Sequence, residues 1–501
     1  MIRAALPLAL AAVLAGPAMA EADPALTESA ENFELAAHDP LQARQTYQIE
    51  PHRQGDRWYL YLGHLRGSEL NPQTGEIEEN GVSVVDVTDP KNPVYLRHIP
   101  PTPAPWSNAS AEARSGGQHV QACAGDDLPH GVPGRHYLLR NQGWVGHEVL
   151  DVTDPLNPAL VGPVSRTGVS RHGGQSTHKN FWDCETGEAY LVSTLDGWSG
   201  QVLQVVDLAD PAHPRHIRDF ALDGMQPGSA FAREVEEGYS LHEATVYRDR
   251  VYLAYGTDRT GTVQILDRQR LLHGDPASAD PLGTDSAALA YPQLSRLDMP
   301  DFWGAHSAKP ILGVPIADYA RNAVGSTRDF LFVTSEGIDF LCRTPRHLSF
   351  FLDITDVAHP WPVSNYQVPA LPQEEGDPNF CERGVFGPHG PHASHSPLYE
   401  GRILFLAYFT GGVRAIDMRD PFQPVEAGHF LHAITPNSRV IYPPNPPADA
   451  VAWPVANTVE VDERGGYLFM ADRPHNGLYI LRITGDLAAI VNEGQAAAWV
   501  P

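Results

Sequence analysis

Histidines recur in this chain at regular distances ahead of a repeated aspartate. His242 lies 25 residues before Asp267, and His392 lies 25 before Asp417. His178 precedes Asp207 by 29, His119 precedes Asp151 by 32, and His306 precedes Asp353 by 47. Asn457 takes the matching place 25 residues before Arg482. Neutral imidazoles are good ligands for Cu, Fe, Zn, Mn or Ni. Ligands this far apart in sequence make a metal site only if the fold brings them to one point. First-row metals rarely take five imidazoles, and a reactive site keeps a position open. His119, His178, His242 and His306 are therefore the expected ligands, with His392 as a fifth or alternative.

The element that would gather them is written in a repeated phrase. It reads VVDVTDPKNP from Val84, VLDVTDPLNP from Val149, VVDLADPAHP from Val205, FLDITDVAHP from Phe351 and AIDMRDPFQP from Ala415. Degenerate copies follow Gln264 and Tyr479, giving seven occurrences. The β-branched run is a strand. Asp and the two prolines make a turn in which the aspartate caps its own backbone. A short strand follows each phrase and a hairpin precedes it, turning at Arg248-Asp249-Arg250 or Glu400-Gly401. Four antiparallel strands repeated radially make a β-propeller. The expected fold is all-β, seven-bladed, with blades at about 45–100, 117–165, 172–222, 240–298, 304–369, 388–432 and 455–487. The last unit runs out after three strands, so Asn32–Asp39 is expected to close the ring; the tail Ala488–Pro501 is the alternative.

These Asp-centred phrases resemble the LVIVD repeat of secreted bacterial β-propeller proteins. The resemblance covers nearly all of the chain after residue 20 and implies the fold, not an activity. In a propeller the first strand of each blade lines the central channel, so one position repeated in several blades becomes a ring about the axis. Carotenoid-cleaving oxygenases and selenium-binding proteins of the methanethiol-oxidase type are similar in that layout alone.

Groups near such a ring can be named. Asp196, Asp258 and Glu336 end second strands and are expected to accept hydrogen bonds that fix imidazole tautomers. Trp144, Trp198, His389, His395, Asn457 and His475 are expected at the pocket rim, on the face where second and third strands connect. Glu243, next to His242, should alternate away from the channel. Glu148 and Lys179 are candidate acid–base groups. The segments 275–300 and 371–388 are either lids or surface excursions. No Gly-x-Ser-x-Gly elbow, phosphate loop or His-Glu-x-x-His helix occurs.

Residues 1–20 read as a secretory signal: Arg3, an apolar run, and Ala18-Met19-Ala20. A periplasmic or secreted protein is expected, with no membrane span. Its four cysteines should then be oxidised, as Cys123–Cys184 and Cys342–Cys381. A net charge of −26 repels phosphate backbones, so nucleic acid is excluded as a partner. The resulting expectation is a monomeric, metal-dependent oxidoreductase (oxidase or oxygenase) on a small organic substrate, its cofactor Cu or Fe, with Zn or Mn as alternatives. The competing readings are a propeller that binds a protein or glycan without catalysis, and a metal storage or delivery protein.

Overall fold

The computed structural model describes residues 23–229, 240–257, 260–300, 303–316, 325–337, 342–343, 348–441 and 450–498. The expected signal segment and Asp258 lie outside the described residues. Five separate four-stranded antiparallel sheets follow in chain order. They span Thr46–Ile99, Val120–Arg166, Thr177–Phe220, Leu241–Asp298 and Ser307–Tyr366. A nine-stranded sheet completes the architecture, and its two halves meet at a single pair, Phe409 with Ala456. One half, the sixth group, runs from Phe386 to His432 and carries Thr27–Glu31 as an extra outer strand. The other, the seventh group, is Ala456–Ile483 with Phe33–Asp39 on its outer edge. The innermost strands neighbour one another in cyclic order, and Ala456–Val461 returns to lie beside Thr46–Gln54. This is the arrangement of a β-propeller.

The pairing of Phe33–Asp39 with Gly477–Ile483 is the one expected for the N-terminal stretch. The C-terminal tail instead forms a helix, Gly485–Ala498, that packs on the sixth and seventh groups through Leu487, Ile490 and Val491. The wedges between neighbouring sheets are filled by the alternate apolar residues of the middle strands. Leu60, Val85, Phe469 and Ile480, for example, join the seventh group to the first. Each such side chain contributes about 1.5–3 kcal/mol by leaving water.

The repeat aspartates do what their turn chemistry requires. Asp86, Asp151, Asp207, Asp353 and Asp417 each accept the backbone N–H two residues on. The degenerate copy uses Asp267 to cap the short helix Arg268–His273 through the Arg270 N–H. Both disulfides form as expected, Cys123–Cys184 and Cys342–Cys381, and no free cysteine occurs among the described residues. Such bonds persist in oxidising compartments. No helix of the described residues is long and apolar enough to cross a membrane. Within 275–300, Gln293–Asp298 is the outer strand of the fourth sheet, which makes that part a surface element.

Candidate metal centre on the channel axis

Strand pairing, and not chain distance, defines the position that faces the axis. In the fourth sheet Asp267 pairs with Arg250; four residues on, Ala254 pairs with Glu243, and His242 is the residue before. The same steps lead to His306 in the fifth sheet, Asn457 in the seventh and Tyr47 in the first. They lead to Gln118 in the second sheet, where Asn141 bonds the His119 carbonyl, and to the irregular stretch holding His178 in the third. In the sixth group they lead to His389, through Asp417–Ile403 and Ala407–Gly390. The ring is thus Tyr47, Gln118, His178, His242, His306, His389 and Asn457.

Five of these strands have a register irregularity at this point: Thr46/Gln48, Thr177/Asn180, Leu241/Glu243, Phe386/Gly390 and Ala456/Thr458. A bulge re-aims a side chain. Here it lets two successive residues of each strand face the channel. Glu243 therefore lines the channel, contrary to strict alternation, and pairs with Lys179 at 2.5 Å.

The four imidazoles are mutual neighbours. Ring centroids are 4.3 Å apart for His178 and His242, 3.9 Å for His242 and His306, and 4.4 Å for His306 and His389. Tyr47 closes the circuit, 5.7 Å from His178 and 5.9 Å from His389. Its hydroxyl lies 3.2 Å from His178 Nε2. His242 Nδ1 donates to the His306 carbonyl at 2.9 Å, and His389 Nδ1 donates to the Asn457 carbonyl. Both Nε2 atoms therefore face the interior as acceptors, that of His389 lying 3.4 Å from the Arg473 guanidinium. His178 Nε2 and His242 Nε2 face each other at 2.6 Å. With Gln118 Nε2 donating to His178 Nδ1 at 2.8 Å, the proton between those rings belongs to His178. His306 Nδ1 meets Ser307 Oγ at 2.7 Å, while its Nε2 is buried without a hydrogen-bond partner.

Glu336 completes the cluster. Its carboxylate is 3.8 Å from His306 Nε2 and 3.7 Å from His389 Nε2, and Arg473 stands 3.9 Å away. The ligand atoms of His242, His306 and Glu336 all lie within 4.8 Å of one another. Burial holds all four histidines well below the ordinary imidazole range, and the positive charge of Lys179 or Arg473 adds to it. They are neutral, the state a metal requires. Two nitrogens on one ion at about 2.0–2.1 Å sit roughly 3 Å apart, so binding through His178 Nε2 would spread the His178–His242 pair by a few tenths of an ångström and move the His178 proton to Nδ1, with the Gln118 amide turned to accept it through its oxygen.

Other expected residues lie elsewhere. His392, three residues beyond the ring, packs on Tyr399 and Phe405 and accepts the Phe405 N–H at 3.2 Å. The hairpin after His389 is six residues longer than in the fourth sheet and the next loop three shorter, so a count of 25 back from Asp417 stops three residues short of the ring. His119 is one place past the ring, its Nδ1 3.1 Å from Asn180 Oδ1. Asp196 is exposed and caps the Val169 N–H. Trp198 is buried in the core between the third and fourth sheets, and Trp144 lies under Arg66 at 3.5 Å. His395 stacks on Tyr247 at 3.8 Å, and His475 bonds the Ala43 carbonyl at 2.7 Å. Glu148 is taken up by Arg140 at 2.8 Å. Of the rim residues, His389 and Asn457 belong to the ring itself. Chain counting did not find Tyr47, Gln118 or Arg473. Only the register points to the first two.

A cavity of about 100 Å³ adjoins the ring, on the side toward the ends of the innermost strands, opposite to the face expected. Burial lifts Glu460 to about 8 and Glu50 well above the carboxylate range there.

Neither a protein-family model nor a curated protein sequence matches the chain. Among solved structures it is similar to the Myceliophteria thermophila Cps50 (Swd1) β-propeller domain, at 10% identity and TM-score 0.47 over 90% of this chain and 100% of that one. It is also similar to Chaetomium thermophilum Raptor, at 9% identity and TM-score 0.45 over 88% of this chain; the chain spans 28% of Raptor's length.

Proposed function

We propose that the protein is an exported seven-bladed propeller of the LVIVD-repeat type whose axis holds a transition metal on His178, His242, His306 and His389. We read its activity as metal-dependent oxidoreduction of a small organic substrate. One observation carries this reading: four neutral imidazoles from four consecutive sheets converge, with two Nδ1 atoms tied to backbone carbonyls so that the Nε2 lone pairs point inward. That is the way ligating histidines are oriented in metalloproteins. Four nitrogen donors suit copper or iron and leave room for a further ligand. When bound, the metal supplies Lewis acidity or electron transfer. The chain supplies donors beside it: the Tyr47 hydroxyl and the Arg473 guanidinium, whose charge Glu336 balances.

Elemental analysis of protein folded in the periplasm and purified without a histidine tag tests the reading. Near-stoichiometric Cu or Fe in the wild type, lost in a His178→Ala/His242→Ala double variant, is expected. Equal trace metal in both would end it. Stoichiometric metal without turnover of any small-molecule substrate would favour storage or delivery.

A further inference from the structure

We infer that the histidine cluster is reached from the strand-end side of the channel through a notch at Gly390, by a polar solute smaller than benzene, water included. The ligand assignment above gives this route its purpose, but the route follows from the packing.

One residue past the ring, the strands place Lys179, Glu243 and Ser307 beneath His178, His242 and His306. Lys179 Nζ reaches Glu243 at 2.5 Å and Ser307 Oγ at 3.4 Å, so three consecutive sheets are bridged by side chains. The next sheet has Gly390 at that level and adds nothing to the bridge. There the cavity continues to His389 and Asn457, the two ring members among its lining residues.

Neither backbone nor packing explains the glycine. Its φ is not in the left-handed region. A Cβ would come no closer than 3.6 Å to Ser307 Oγ and 4.0 Å to His306 Cε1, which is ordinary contact. What the missing side chain provides is the opening.

The cavity sets the size of the solute. At about 100 Å³ it is smaller than the roughly 150 Å³ that admits benzene, and it has room for about three waters at about 30 Å³ each. Glu50, Lys309 and Glu460 line its outer part, which makes it a polar passage.

All four cysteines are paired, so an introduced cysteine is a unique thiol. Thr245→Cys reports on the outer channel and Ser307→Cys on the level of the notch. Hydrogen peroxide and the far bulkier N-ethylmaleimide serve as probes, with intact-mass readout. Both should modify Thr245→Cys. Peroxide should modify Ser307→Cys, with N-ethylmaleimide at least a hundredfold slower there than at Thr245→Cys. Adding Gly390→Leu should slow the attack of peroxide on Ser307→Cys by at least tenfold, with Gly390→Ala intermediate. Maleimide reaction at position 307 as fast as at 245 would overturn the size limit. Peroxide reaction unaffected by Gly390→Leu would overturn the route. The size comparison needs no Gly390 variant, so a misfolded Gly390→Leu does not remove the test. In metal-loaded protein, Gly390→Leu should also slow removal of Co²⁺ by a small chelator. A wild type that takes up no Co²⁺ would count against the metal reading and leave the thiol results standing.

Discussion

His389 and His392 are three residues apart, and they should separate cleanly under mutation. The ring position assigns His389 to the cluster, with Nδ1 on the Asn457 carbonyl and Nε2 inward. His392 is a packing residue whose Nδ1 accepts the Phe405 N–H. Metal binding by complete four-ligand zinc sites is worth about 10–16 kcal/mol. Divided among four donors, one imidazole carries about 3 kcal/mol, or roughly two decades in Kd. His389→Ala should therefore weaken Co²⁺ binding about 100-fold, read by visible absorption in competition with a chelator of known affinity. His392→Ala should leave that Kd within about threefold. It should instead cost the metal-free protein about 1–3 kcal/mol, because a buried N–H loses its acceptor beside the rings of Tyr399 and Phe405. That loss appears as a lower denaturation midpoint in urea. Equal weakening of metal by both variants, or a larger loss from His392→Ala, would refute the register assignment.

Asp39 is buried with its carboxyl raised to about 6, against about 3.8 in an unfolded chain, chiefly by desolvation. A raised acid favours the folded state while protonated, so wild-type stability should fall as pH rises from about 4 to about 6 and stay level above. At about 1.4 kcal/mol per unit the fall is at most about 3 kcal/mol. Asp39→Asn keeps an acceptor for the Leu41 N–H and should flatten that part of a pH series of urea unfolding curves. The Cys123–Cys184 bond spans 61 positions, and chain entropy gives it about 4 kcal/mol. A Cys123→Ser/Cys184→Ser variant should lose up to that much in equilibrium unfolding, with metal stoichiometry kept. Phe33, buried on the closing strand against Phe405, should cost about 3–5 kcal/mol as Phe33→Ala. A change under 1 kcal/mol in its urea midpoint would argue that the strand does not seal the ring.

Local chemistry made the fold legible. Asp-Pro-x-x-Pro stops a strand by removing donors and capping a turn, and nothing distant can change that. The repeat therefore located the third strand of each sheet, and the incomplete last unit pointed to Phe33–Asp39. The site was legible only in part, because a count along the chain measures loops as well as strands. Between His242 and Asp267 the loops are short and the count is sound. Between His389 and Asp417 one loop is longer and another shorter, and the count lands on His392. Tyr47 is hidden further, since the hairpin Ser68–Glu79 is inserted between it and Asp86. The bulges add a second difficulty: Glu243 enters the channel although period-two alternation sends it outward.

Register also bears on the simplest objection to the proposed metal ring, that a duplicated unit copies its histidine without any use for it. Copies decaying independently would leave histidines scattered around the axis. Here the four imidazoles occupy four adjacent sheets, the third to the sixth, and the three other ring positions are also adjacent: Asn457, Tyr47 and Gln118. Those three do not merely fill space. Asn457 offers its carbonyl to His389, Gln118 donates to His178, and Tyr47 presents its hydroxyl to the same imidazole. One half of the ring supplies imidazoles, and the other supplies the polar groups that fix their tautomers. A scaffold that only presents its surface has no requirement for that asymmetry, whereas an ion with one side left for a substrate does.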